Sequence, residues 1–235
     1  MDNPDTYIDL NKQTWNNKVD VHIASDSYEN KSFLNGKSAL NAIELKLLGD
    51  ISCKKILHLQ CHFGQDTISF SRLGVKATGV NLSDKAIERG KEFNFILGAD
   101  AKFICWDIYN LPNHFEKKFD ILFTSYETIG WMPDLDKSPK VISRFLKSNG
   151  KFITADFHPA IWVYDDDFTK VFYNYFNTEA ICEDGSGTDA EKEAAIENKT
   201  ISWNHPISKI LNALISNNLE MNQFNEFNYS PYQRI

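Results

Sequence analysis

The chain lacks the marks of several protein classes. No apolar run approaches the roughly eighteen residues of a membrane span. The first twenty residues are polar and acidic, with neither an apolar stretch nor an arginine-rich face, so they read as no signal or transit peptide. The expected location is the cytoplasm. Cysteine is sparse. Cys53, Cys61, Cys105 and Cys182 include no C-x-x-C pair, which points to reduced thiols rather than a disulfide framework. There is no Lys/Arg cluster, and the formal net charge of -7 argues against nucleic acid as a partner. Neither internal repeats nor low-complexity tracts are found.

What is present suits one α/β domain. The 235 residues are 42% hydrophobic, enough for one sizeable core. Short apolar runs at 55–59, 75–80, 102–106, 119–125 and 151–157 read as strands. Segments 66–73, 83–97 and 138–146 read as the helices between them, with Ser83 as an N-cap. Strand and helix alternating at this spacing predicts a three-layer α/β/α sandwich around a mostly parallel sheet, whose ligand site lies at the carboxyl ends of the strands. Helices are also expected at 9–17, 36–49 and 206–219, and a loose final strand at 219–229. The organisation expected is a helical cap over 1–50, a core over 51–157, an insertion or lid over 158–205, and a closing helix and strand over 206–235.

The informative segment is K-I-L-H-L-Q-C-H-F-G, residues 55–64, at the end of the first strand. Glycines at alternate positions of such a strand-to-helix loop allow a tight turn and close backbone approach. Gln60, His62 and Gly64 occupy those positions, so one glycine remains. The second strand ends in G-V-N-L-S, with Asn81 and Leu82. The third ends in W-D-I-Y-N-L-P, with Asp107 and Ile108. The fourth runs F-D-I-L-F-T-S-Y-E-T-I-G-W-M, with Ser125, Tyr126 and Glu127 at its end.

From about residue 40 to 157 the chain resembles class I S-adenosylmethionine-dependent methyltransferases. It is most similar to a bacterial subset whose first loop reads L-H-L-Q-C-H-F-G-Q-D-T. The stretches I-E-L-K-L-L-G-D-I, T-S-Y-E-T-I-G-W-M-P-D-L and D-F-H-P fit that subset too. The resemblance implies a Rossmann-like methyltransferase fold, S-adenosylmethionine as cofactor and methyl transfer, with S-adenosylhomocysteine as product. It places Gln60, Cys61, His62 and Gly64 under the methionine end. Asn81 and Leu82 fall at the ribose, Asp107 and Ile108 at the adenine, and Ser125 beside the methyl group. Asn81 stands where the class has an acidic residue, and can offer one carbonyl oxygen.

Trp15, Tyr28, Tyr126 and Trp131 are candidates to face the cationic sulfonium. Tyr126, Glu127, His158 and His205 are candidate proton acceptors, needed only if the nucleophile is protonated. His58, Cys61 and His62 do not complete a metal site, and the acidic run Asp165, Asp166, Asp167 reads as a solvated turn, so no metal is expected. The fourth strand ends in T-S-Y-E, unlike the N-P-P-Y form that acts on exocyclic amines, and no Pro-Cys pair follows it. A small-molecule acceptor is therefore expected, with neither nucleic acid nor membrane as partner. Two alternatives remain. One is a non-catalytic binder of S-adenosylmethionine or S-adenosylhomocysteine. The other is a nicotinamide-dependent oxidoreductase, which would need a G-x-G-x-x-G turn that Q-C-H-F-G-Q does not supply.

Overall fold

A computed structural model describes residues 6–165 and 167–232. Five parallel strands form the main sheet: β1 (Lys55–Leu59), β2 (Lys76–Asn81), β3 (Lys102–Cys105), β4 (Phe119–Ser125) and β5 (Leu146–Ala155), in the order β3-β2-β1-β4-β5. The order reverses between β1 and β4, the switch point at which open α/β sheets carry their ligand crevice, outside the carboxyl ends of the strands.

Strand alternation divides the core between the two faces. Ile56 of β1 points to a cluster with Phe63, Ile68, Phe70, Phe93 and Phe123, while Leu57 and Leu59 point to another with Leu122, Val141, Ile142 and Phe145. The first face is covered by α1 (Thr6–Ala24), α2 (Asn30–Leu34), α3 (Ala42–Leu48), α4 (Gln65–Arg72) and α5 (Asp84–Ile96). The second is covered by α6 (Ser138–Phe145) and α7 (Ile207–Ser216). The parallel sheet with helices on both faces is what the strand pattern predicts, and its Rossmann-like arrangement is what the resemblance implies. The cap at Ser83 is also present: its hydroxyl accepts the Ala86 N–H at 3.0 Å.

Three sequence expectations need correction. Helix α1 runs well beyond 9–17, because its inner face carries polar Asn11 and Thr14 beside Val19, so apolar periodicity understates it. Helix α3 starts at Ala42 rather than 36, where Asn41 and Glu44 form a capping box. The final strand expected at 219–229 is absent: residues 221–230 run as exposed, irregular chain. Apolar residues at 219, 221, 224, 227 and 229 mix spacings of two and three, so no single sheet face is defined.

The 158–205 segment ends in an antiparallel hairpin, β6 (Ile181–Ser186) and β7 (Glu197–Ser202). It docks on α1 through polar contacts: Thr14 Oγ1 donates to the Lys199 carbonyl at 2.6 Å, and Asn11 Nδ2 to that of Ile201 at 2.8 Å. Asp165 caps the backbone of Thr169 and Lys170, while Asp166 lies outside the described residues. No helix among the described residues is long and apolar enough to cross a membrane.

Candidate functional site

Beyond Leu59 the chain leaves β1 in an alternating left-handed turn. Gln60, His62 and Gly64 have φ values of 54°, 51° and 74°. Gln60 and His62 thus hold conformations natural to glycine, at a cost of about 1–3 kcal/mol each. The turn is fastened by the Cys61 N–H donating to the Val80 carbonyl at 2.9 Å and the Gly64 N–H to that of Cys61 at 2.8 Å. It also packs tightly. A Cβ at Gly79 would stand 2.7 Å from Cys61 Sγ, and one at Gly64 would stand 2.2 Å from the Phe103 ring. The glycine kept at 64 therefore serves contact with β3 as well as backbone freedom. Cys61 is buried, which pushes its thiol up and makes it unreactive.

Two polar atoms of this loop, Gln60 Oε1 and His62 Nε2, are shielded from solvent and have no hydrogen-bond partner among the described residues. Buried polar atoms are rarely left so, and such a pair suits a ligand carrying both donors and acceptors. The His62 ring lies among Phe63, His22, Trp15 and Tyr28, at centroid distances of 4.3, 5.1, 5.4 and 5.5 Å. Trp15 in turn meets Trp131 edge-on at 5.3 Å. Burial, with His22 beside it, holds His62 well below the usual histidine range, so the ring is neutral at pH 7.

Along the strand ends, Asn81 Oδ1 accepts the Ser83 N–H at 2.8 Å, which orients its amide. Leu82 is half-buried, its carbonyl 3.5 Å from Cys105 Sγ. Asp107 Oδ2 accepts the N–H groups of Tyr109 and Asn110, each at 3.1 Å, and its other oxygen is not used by them. Burial raises its carboxyl, against those bonds. Ile108 is buried beside it.

At the crevice, Ser125 Oγ donates to Asp66 Oδ2 at 2.9 Å. Burial pushes Asp66 up to about 7, and nearby Glu44 adds to the rise. Tyr126 donates its hydroxyl to Glu44, and its ring meets Tyr232 edge-on at 4.8 Å. Tyr126 and Glu127 are consecutive left-handed residues, at φ 45° and 55°. Asp156 fixes this turn: its carboxylate accepts the N–H groups of Glu127, Thr128, Ile129 and Phe157 and the Thr128 hydroxyl, at 2.6 to 3.1 Å.

The structure thus gathers Trp15, Tyr28, Gln60, His62 and Trp131 around the first loop, and sets Ser125, Tyr126 and Glu127 at the end of β4. Two candidate bases fall elsewhere. His158 is on the surface, where Nε2 pairs with Glu226 at 3.0 Å and Nδ1 accepts the Ala160 N–H. His205 is buried, with Nε2 donating to the Met132 carbonyl at 2.7 Å, which makes it a packing residue. His58 is buried against Thr67, its Nδ1 2.9 Å from the hydroxyl oxygen, and burial lowers it to about 3. Sequence reading passed over Asp66, Glu44, Asp156, His22 and Asp189. Asp66 and Asp156 lie within the quoted stretches Q-C-H-F-G-Q-D-T and D-F-H-P, but carry no spacing signal of their own.

Residues 57–154 match the family described as methyltransferase domain. A curated relative, the sterol 4-C-methyltransferase strm-1 of Caenorhabditis elegans, is 30% identical over 169 residues, 71% of this chain and 48% of its own length. An uncharacterized methyltransferase of Synechocystis is 28% identical over 146 residues, 61% of this chain and 66% of that protein. The chain thus spans about half to two-thirds of the length of these curated relatives. A solved S-adenosylmethionine-dependent methyltransferase from Clostridium acetobutylicum superposes with a TM-score of 0.56 at 18% identity, covering 88% of this chain and 86% of that one. One from Mesorhizobium loti gives 0.56 at 15%, covering 83% and 86%. The fold is that of class I methyltransferases. The cofactor of the class is S-adenosylmethionine, and a loop with two unpartnered polar atoms at the switch point fits such a group.

Proposed function

We propose that this domain transfers the methyl group of S-adenosylmethionine to a small-molecule acceptor, leaving S-adenosylhomocysteine. The observation that carries the reading is the first loop. Its alternating left-handed turn stands at the switch point between β1 and β4, with Gln60 Oε1 and His62 Nε2 awaiting partners. In this reading Gln60, Cys61, His62 and Gly64 hold the methionine end of the cofactor. Asn81 and Leu82 hold the ribose, Asp107 and Ile108 the adenine, and Ser125 closes the crevice.

When bound, the cofactor supplies an electrophilic methyl on a cationic sulfur. The chain's own task is positioning, worth up to about 7–11 kcal/mol in well-oriented systems. Trp15, Tyr28 and Trp131 offer aromatic faces to a cation. Glu127, at the end of β4, is the carboxylate we place nearest the acceptor; His158 does not take that role, since Glu226 and Ala160 already engage its ring. The net charge of -7 supports a small molecule over nucleic acid. Exposed Trp162, Phe172 and Phe176 in the insertion support an acceptor that is partly apolar.

The test is S-adenosylhomocysteine formation with deproteinised small-molecule, protein and nucleic-acid fractions of cell extract as acceptors. Turnover with the small-molecule fraction alone is expected. Turnover only with the protein or nucleic-acid fraction would overturn the acceptor class. Cofactor binding with no turnover in any fraction would favour the non-catalytic reading.

A further inference from the structure

The hairpin reaches the first loop through one side chain of α1. His22 is fully buried in the last turn of that helix. Its Nε2 is 3.4 Å from Oδ1 of Asp189, which lies in the turn between β6 and β7. That separation is an ion-pair distance, long for a hydrogen bond. Asp189 shows its backbone to solvent, but its side chain is turned inward and keeps only 20% exposure. Lys18, also on α1, approaches the same carboxylate at 3.9 Å. Burial works to raise the Asp189 carboxyl; His22 and Lys18 outweigh it and hold the group below its ordinary range. The Ser27 hydroxyl adds a bond to the Ala190 carbonyl at 3.2 Å, which fastens the turn beside Asp189.

On its other side His22 stacks on Tyr28, with centroids 4.8 Å apart and planes 22° apart, and meets the His62 ring at 5.1 Å. A row therefore runs from hairpin to loop: Asp189, His22, His62. The far end of the row, His62 Nε2, is shielded and has no hydrogen-bond partner among the described residues, and the same holds for both ring nitrogens of His22. The aim of that atom depends on where the His62 ring sits. Nε2 forms no hydrogen bond among the described residues, and the rings packed around the imidazole, His22 among them, set its position.

We propose that Asp189 and His22 are positioning residues for His62, so that the insertion, docked on α1, sets how tightly the methionine end of S-adenosylmethionine is held. The inference rests on the reading of this loop as the cofactor loop. It gives the hairpin a role in the cofactor site, which makes it more than a surface excursion. Loss of the Asp189 carboxylate removes the anionic group that faces a fully buried imidazole at 3.4 Å, and His22 then shifts against His62.

The test uses the full chain and three readouts: long-range 1H–15N NMR of the His22 and His62 rings, calorimetric Kd for S-adenosylhomocysteine, and the urea unfolding midpoint. Asp189→Ala is expected to move the His62 ring resonances and to raise Kd about tenfold, the equivalent of one ordinary hydrogen bond. Asp189→Asn, which keeps an acceptor oxygen, restores Kd to within about twofold. The unfolding midpoint stays put. Should Asp189→Ala lower the midpoint, His22→Asn serves as the second variant, with the same rise in Kd expected. His62 resonances and Kd that both stay at wild-type values would overturn the proposal, as would moved resonances with Kd unchanged. If the wild-type protein binds no S-adenosylhomocysteine, the cofactor reading falls, and the NMR readout alone decides whether Asp189 and His22 position His62.

Discussion

Asp66 sets a pH dependence on stability that can be worked out in advance. Its carboxyl is buried at the mouth of the crevice, beside Glu44 and bonded to Ser125, and burial lifts it from 3.8 to about 7. Between those values the native state keeps a proton that the unfolded chain has released. Stability therefore falls as pH rises through this window. The gap is roughly three pH units, and at about 1.36 kcal/mol each the loss comes to about 4 kcal/mol between pH 4 and pH 8. Asp66→Asn keeps the shape and an acceptor for the Ser125 hydroxyl but cannot ionise. Urea unfolding of both proteins should give similar stabilities near pH 4. The variant should gain steadily on the wild type, to an advantage of about 4 kcal/mol at pH 8. A difference between the two that stays constant across the range would refute the burial argument.

Other consequences are equally direct. Gly64→Ala forces a Cβ to within 2.2 Å of the Phe103 ring at a φ of 74°, and should cost about 2–4 kcal/mol in urea unfolding, part of it recovered in the double variant with Phe103→Leu. A melting shift should therefore accompany any loss of cofactor binding in this variant. Gly79→Ala meets Cys61 Sγ at 2.7 Å, and combining it with Cys61→Ala should restore stability beyond the additive value in a double-mutant cycle. Asp156→Ala leaves four backbone N–H groups without their acceptor, and should cost about 3 kcal/mol or more by the same assay, with Asp156→Asn falling in between.

The parallel sheet was legible because most strands are short apolar runs closed by a turn signal, and helices α4 and α5 are followed by Gly74 and Gly98 as stop signals. The first loop was legible as a departure from a glycine pattern, and its left-handed angles at Gln60 and His62 follow from the place of those residues in that pattern. What stayed hidden depends on contacts between distant segments. His22 and Asp189 are a lone histidine and a lone aspartate 167 positions apart with no motif around either, and only the docking of the hairpin on α1 brings them together. Asp156 has no sequence signal either, since its partners are backbone N–H groups in another turn. The inner face of α1 escaped notice because Asn11 and Thr14 are buried with their hydrogen bonds satisfied by β7, which a hydrophobicity pattern reads as solvent-facing.

The most direct test of the central claim is calorimetric titration of the purified chain with S-adenosylmethionine and, separately, S-adenosylhomocysteine, alongside a variant in which Gln60 and His62 are both changed to leucine. The account predicts that the wild type binds both ligands with micromolar Kd, and that the variant loses affinity for both while staying folded. No binding of either ligand by the wild type, or equal affinity in the variant, would contradict the assignment of this loop as the cofactor site.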